Sequence, residues 1–281
     1  MVKAHAKINL ALNVNEKLEN GYHDIDTIMV PLELHDRIEF DFLPEGFDSM
    51  VTCDDVSLPT DESNLTVKAL QTIIEHFNIK KKFRIHVHKA IPISAGLGGG
   101  SADAACVINT VLKMCKINPS KEELVKVAKQ VGADVPFCLF NKPSRCKGIG
   151  EELEPIQIKN KYYVLLVKPK KGISTEEAYK RYDLYSEKEH ANIDELVLAL
   201  KNGNDKAISK NLINSLEKPA IEAIEEINMI KQKLMDDGFD KVMMSGSGSS
   251  VFALSTSLKD IQKEALKFDL KKYYVKVTNI L

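Results

Sequence analysis

Four of the five residues from Gly96 to Gly100 are glycine, and the run opens directly into an alanine-rich segment, "GLGGGSADAA". No other stretch limits the possible folds of this chain so strongly. Glycine at this density weakens any helix or strand, because each glycine loses more conformational freedom on ordering than any other residue. The run is therefore a loop. Before it, "KFRIHVHKAIP" reads as a strand; after it, Ala104, Ile108, Val111 and Cys115 recur at helical spacing with Ala105 and Leu112 beside them. A helix N-terminus carries unpaired N–H groups and about half a positive charge. Glycines ahead of it let the backbone approach an anion closely. A polyphosphate suits such a site, and the small residues Ala102, Ala104 and Ala105 let the helix lie close to its neighbour. Two familiar phosphate loops do not match: no lysine follows Gly100, as the P-loop needs, and Ser101 stands where G-x-G-x-x-G counted from Gly96 needs its last glycine.

The remaining elements fall around this unit. Near the start, Ala4, Ala6, Ile8, Leu10, Leu12 and Val14 alternate with Lys3, His5, Lys7, Asn9 and Asn13. That period of two predicts a strand with one apolar face and one polar, solvated face. Asn20-Gly21 supplies a turn. "HDIDTIMVPLEL" and "DRIEFDF" read as two further strands, and "NLTVKALQTIIEHFN" as a helix with Leu65, Ala69, Ile73 and Phe77 four apart. "SKEELVKVAKQVG" is a second helix, with Ser120 and Glu123 as a capping box and Gly132 as its stop. The charged stretch "GEELEPIQIKNK" suggests a domain boundary. Beyond it come a strand "YYVLLVKP", a helical region over about 175–236, a strand "KVMMSG", a short loop, a strand "VFALS" and a closing helix and strand. Strands and helices without a regular βαβ repeat argue for an α+β fold.

Composition excludes several classes. A net charge of -1 offers no global field for nucleic acid or a membrane surface, and "KKK" at 80–82 and "KPKK" at 168–171 read as solvated surface. No apolar run approaches the roughly 18 residues of a membrane span, and the N-terminus is too lysine-rich for a signal peptide. Five cysteines without C-x-x-C spacing argue against a disulfide framework and structural zinc, and so for the cytosol.

The form Pro92-x-x-x-Gly96-Leu97-Gly98-Gly99-Gly100-Ser101-Ala102 resembles the phosphate-binding motif of the GHMP small-molecule kinases. Four further segments resemble that family in its own order: "AKINLALNV", "GYHDIDTIM", "VGADVPFCL" and "SGSGSS" at 245–250. The version "GLGGGSADAA" together with Gly21-Tyr22-His23 is most similar to members that act on a cytidyl-bearing alcohol. One departure lies before that glycine, where a basic residue and an aspartate are usual and Leu18-Glu19-Asn20 stands.

The resemblance implies the following. The fold is a two-domain GHMP kinase, with an N-terminal domain over 1–153 like the second domain of ribosomal protein S5 and a ferredoxin-like C-terminal domain over 154–281 that closes over substrate. The chain transfers phosphate from ATP, with Mg²⁺, to an alcohol. Asp134 is the general base and Lys7 orients it and the reacting hydroxyl, an opposite charge that keeps a carboxylate ionised. Asn9 binds the substrate alcohols; Tyr22 and His23 stack on and hydrogen-bond a cytosine. Tyr179 is a second aromatic, with Tyr182 and Tyr185 close by, and Thr175 stands near the transferred group. Pro92, Ile93, Ser94, Ala95, Gly96, Leu97, Gly98, Gly99, Gly100, Ser101 and Ala102 cradle the phosphates. Asn64 and Lys89 contact the adenine side. Ser101 is the protein ligand for Mg²⁺, with Asp103 as a second candidate. "SGSGSS" packs against the phosphate loop; as bare sequence it equally reads as a hairpin turn. Monomer and homodimer are both open. The alternatives are another GHMP kinase, for homoserine, mevalonate or a sugar, and a non-catalytic ligand-binding protein on the same fold. "GYHDID" speaks against the first, and the presence of both Lys7 and Asp134 against the second.

Overall fold

The computed structural model describes residues 1–186 and 188–281. Two compact units emerge, each assembled from separate pieces of chain. The first comprises Met1–Ala6, Leu34–Ile91 and Gly98–Asn141; the second comprises Lys7–Glu33, Pro92–Leu97 and Lys142–Leu281. Strands β1 (Val2–Lys17) and β2 (His23–Leu43) pair with each other and contribute to both units. The two strands read from "HDIDTIMVPLEL" and "DRIEFDF" are thus one, 21 residues long. Pro31 does not break it.

In the first unit, β3 (Met50–Cys53), α1 (Leu65–His76), β4 (Lys82–His88), α2 (Gly99–Met114), α3 (Lys121–Val131) and α4 (Val135–Phe140) follow in order. The β4 strand runs antiparallel to the end of β2, with Arg37 opposite His88 and Leu43 opposite Lys82, and parallel to β3. Phe83, Ile85 and Val87 are its buried residues. Helix α2 buries ten consecutive-turn positions from Ser101 to Leu112, the alanines among them, which explains why small side chains dominate its start. Ser120 caps α3 by accepting from the Glu123 N–H. Gly132 ends that helix in extended backbone, φ -176, rather than in a left-handed turn.

In the second unit, β5 (Ser144–Lys147) pairs antiparallel with the first part of β2 and with β6 (Glu152–Pro155), which lies within the charged stretch "GEELEPIQIKNK". A four-stranded antiparallel sheet follows the order β10-β7-β9-β8, from β7 (Tyr163–Pro169), β8 (Val242–Met244), β9 (Val251–Ser255) and β10 (Tyr273–Asn279). The helical region divides into α5 (Thr175–Tyr182), α6 (Ile193–Asn202), α7 (Asp205–Lys210), α8 (Glu217–Ala223) and α9 (Glu226–Asp236); α10 (Leu258–Ala265) precedes β10. Asn or Ser caps four of these six helices, α5, α6, α7 and α10, with a side chain that competes for backbone hydrogen bonds.

Two surface expectations are overturned. Lys7, Asn9 and Asn13 on β1 are 4%, 2% and 7% exposed, so both faces of this strand are buried. The period of two reports the chemistry of a face, not what covers it. Lys168, read as solvated in "KPKK", is also buried; its Nζ donates to the Pro169 carbonyl at 3.0 Å, and burial holds its pKa below the ordinary lysine value. Among the described residues, no helix is long and apolar enough to cross a membrane.

Candidate active site

The glycine loop is anchored through its carbonyls. The Ala95 carbonyl accepts from the Ser250 N–H (3.2 Å), the Gly96 carbonyl from the Ser245 hydroxyl (2.9 Å), and the Leu97 carbonyl from the Lys7 N–H (2.9 Å). Because each peptide is planar and trans, the N–H groups that follow, on Gly96, Leu97 and Gly98, turn to the opposite side. Successive amides turned this way form an anion-binding concavity. Gly96 has φ +71, and a Cβ there would stand 1.9 Å from the Ser245 carbonyl oxygen, so only glycine fits. Gly98, also left-handed, is the N-cap of α2. No acidic residue lies in the first turn of that helix, which leaves its positive end without a counter-charge from Gly99, Gly100 or Ser101. Around this core, Ala95 and Ala102 are buried, Pro92 is half-buried, and Ile93 and Ser94 are exposed.

Asp103 sits past the first turn and faces inward, 3% exposed. Its carboxylate accepts from Lys89 Nζ at 2.7 Å, and the same ammonium bonds Asp36. Asp36 also accepts from the Ala90 and Ile91 N–H groups (2.5 and 2.8 Å), where β4 leaves for the loop. Burial opposes the Lys89 charge, but the carboxylates of Asp103 and Asp36 more than restore it, so its pKa stands above the ordinary value. Lys89 therefore ties the end of β4 to the start of α2. Asn64, the other residue expected on the adenine side, caps α1: its Oδ1 accepts from the Thr66 N–H and its Nδ2 donates to the Pro59 carbonyl, both at 2.9 Å.

On β1, Lys7 Nζ donates to Asn9 Oδ1 at 2.7 Å, and Asn9 Nδ2 donates to the Thr27 hydroxyl at 2.8 Å. The Asn9 N–H donates to Ser245 Oγ at 3.3 Å. Lys7 and Asn9 thus form one buried polar pair beside the anchored loop. Asp134, in the other unit, takes the N-cap position of α4 with helical backbone and makes no capping bond with its side chain. Pro136 occupies the first turn of α4, where its missing N–H costs nothing. Asp134 thus holds the cap position without a capping bond from its side chain.

The residues expected around a base gather in the second unit. Tyr22 is 54% exposed, while His23 is buried and stacks on Tyr179, with ring centroids 5.0 Å apart and planes at 30°. Tyr182 meets His23 edge-on and spends its hydroxyl on the Val14 carbonyl at 2.6 Å. His23 Nε2 is 2.6 Å from Asp183 Oδ1, and Asp183 Oδ2 accepts from Lys17 Nζ at 2.6 Å. Partial burial works against the Asp183 charge, but Lys17 and His23 outweigh it and hold the carboxyl below its ordinary pKa. Sequence reasoning missed this Lys17–Asp183–His23 chain. Its signal was the helical spacing of Tyr179 and Asp183, which puts both on the face met by His23. Thr175 Oγ1 lies 3.1 Å from Ser247 Oγ of the "SGSGSS" loop. That loop joins β8 to β9 as a hairpin and also contacts the glycine loop, so its two readings hold together.

The comparisons with known proteins decide the family. A protein of Clostridium acetobutylicum named 4-diphosphocytidyl-2-C-methyl-D-erythritol kinase is 36% identical over 276 residues, covering 98% of this chain and 97% of its own length. A protein of the same name from Caldicellulosiruptor saccharolyticus is 38% identical over 98% of this chain and 94% of its own. The models of the GHMP kinase N-terminal and C-terminal domains match residues 64–142 and 196–275. The chain belongs to the GHMP kinase family. Among solved structures, a 4-(cytidine 5'-diphospho)-2C-methyl-D-erythritol kinase superposes with a TM-score of 0.80 at 27% identity, covering 100% of this chain and 99% of that one. Homoserine kinase from Cytophaga hutchinsonii, at 20% identity and a TM-score of 0.76, shares the GHMP kinase fold. The α+β architecture expected from sequence is the one these GHMP kinases have.

Proposed function

We propose that this chain transfers the γ-phosphoryl group of ATP to the 2-hydroxyl of 4-diphosphocytidyl-2-C-methyl-D-erythritol, a step in making isoprenoid precursors by the non-mevalonate route. The observation that carries the substrate is the site formed by Tyr22, His23 and Tyr179, in which a histidine fixed by Asp183 lies flat on a tyrosine beside an exposed tyrosine. A cytosine can stack on such a surface and hydrogen-bond the imidazole; homoserine and mevalonate have no ring to stack. The near-full-length likeness to relatives of that name supports the same reading.

The glycine loop from Pro92 to Ala102 holds the phosphates through its amides and the α2 N-terminus. Asn9 binds the acceptor alcohols and Lys7 orients the reacting hydroxyl. Asp134 takes the hydroxyl proton as the new P–O bond forms; the bond to the β-phosphate oxygen breaks and ADP leaves. Asn64 and Lys89 lie toward the adenine, and Thr175 lies near the transferred group. Among the described residues, no three His, Cys, Asp or Glu side chains cluster to hold a metal. Mg²⁺ fits on other terms, resting mainly on phosphate oxygens and water, with the Ser101 hydroxyl in the first turn of α2 as its protein oxygen. When bound, it would neutralise charge on the β and γ phosphates. The two family-model matches fall on either side of residue 153, which supports dividing the chain there into an N-domain for ATP and catalysis and a C-domain for substrate. The reaction involves no nucleic acid and is placed in the cytoplasm.

The test is product analysis after incubation with Mg-ATP and the cytidyl alcohol. The expected product carries one added phosphate ester at the 2-position, seen by phosphorus–carbon NMR coupling, with one ADP formed per product. ADP formed without a phosphorylated alcohol would contradict the proposal.

A further inference from the structure

The hairpin loop that anchors the phosphate loop is itself held by a residue far from it in sequence. Asn214 lies between α7 and α8 and is 5% exposed. Its Nδ2 donates to the carbonyls of Met244 (2.9 Å) and Gly246 (2.8 Å), and its Oδ1 accepts from the Leu216 N–H at 2.9 Å. Those two carbonyls flank Ser245. Nearby, Glu217 Oε1 accepts from the Met244 N–H at 2.9 Å while Lys231 holds Oε2 at 2.6 Å. The Asn214 segment is also stitched to β1: Leu12 N–H donates to Ile213 and Ser215 N–H donates to Leu12. Ser245 is 0% exposed; its hydroxyl donates to the Gly96 carbonyl and accepts from the Asn9 N–H.

We propose that Asn214 is a positioning residue for the phosphoryl donor: by clamping the carbonyls on both sides of Ser245 it sets that hydroxyl, and through it the Gly96 peptide whose neighbouring amides receive phosphate. The position demands an amide. Two donors and an acceptor must come from one planar group, and aspartate would offer two acceptors to two carbonyls. An apolar residue would leave both carbonyls buried without donors. The inference rests on the kinase reading above and adds a residue to it.

The test compares Asn214→Asp and Ser245→Ala with the wild-type chain. Affinities for a non-hydrolysable ATP analogue and for adenosine are measured by competition against a fluorescent nucleotide, alongside KM and kcat for ATP and thermal unfolding. Unsatisfied groups in this chain should weaken the analogue by about tenfold in both variants. Adenosine, which has no phosphate, should bind as it does to wild type, and KM for ATP should rise while kcat changes little. A purely structural role would weaken both ligands together. If Asn214→Asp does not fold, Ser245→Ala decides by the same criteria. A wild-type preference for the analogue over adenosine that the folded variants retain would overturn the proposal alone. Equal wild-type affinity for the two ligands would overturn the kinase reading and the proposal with it.

Discussion

Asp134 stands at a helix N-cap without a capping bond from its side chain, and the proposed role of its carboxylate is to take the proton of an alcohol. Asp134→Asn keeps the shape and removes the proposed base. Turnover should fall by about 10²–10⁴-fold, while affinity for an ATP analogue stays near wild type in a titration. Near-normal turnover would remove the general-base role. Lys168 gives a prediction of another kind. Burial depresses its pKa, so between the folded value and the ordinary lysine value of about 10.4 the unfolded chain binds more protons than the folded one. Stability linked to this group therefore rises with pH across that window. The unfolding free energy of wild type, relative to Lys168→Met, should improve from neutral pH toward pH of about 10; urea titrations at several pH values check this, and a flat difference would contradict it. Both residues show what the sequence could and could not say. The identity of Asp134 was legible in its motif, whereas the burial of Lys168, like that of Lys7 and Asn9, depends on elements far away in the chain.

At the scale of elements, the strand–loop–helix unit was the most legible feature, since glycine density, apolar periodicity and helix spacing all agree there. What holds it was not legible. Lys89 joins Asp36 on β2 to Asp103 on α2, residues 67 apart by number. Lys89→Met would leave two buried carboxylates with no cation between them. Breaking a buried pair in this way typically costs about 3–5 kcal/mol, and urea unfolding should show a loss on that order; an unchanged midpoint would mean the cluster does not latch α2. The aromatic site makes a separable prediction. Base–aromatic stacking is worth about 1–3 kcal/mol, so Tyr22→Ala should weaken the cytidyl substrate by about tenfold or more and leave the ATP analogue unaffected. Equal loss of both in parallel titrations would remove the stacking role. The long helical region, by contrast, read as one block, and the Asn192 and Asn204 caps that begin α6 and α7 are part of what divides it.

For the molecule as a whole, family and substrate rest on different evidence. The GHMP kinase fold is shared with homoserine kinase at 20% identity, so the fold alone does not choose an alcohol. We propose that the choice comes from Tyr22, His23 and Tyr179, and from the Lys17–Asp183 pair that holds the histidine. The most direct test of the central claim is ADP release from Mg-ATP by the purified chain, with 4-diphosphocytidyl-2-C-methyl-D-erythritol, homoserine and mevalonate offered separately. Turnover with the cytidyl alcohol alone is the expected result. Turnover with homoserine or mevalonate in its place would contradict the assignment of the aromatic site, even with the phosphate loop and Asp134 in their proposed roles.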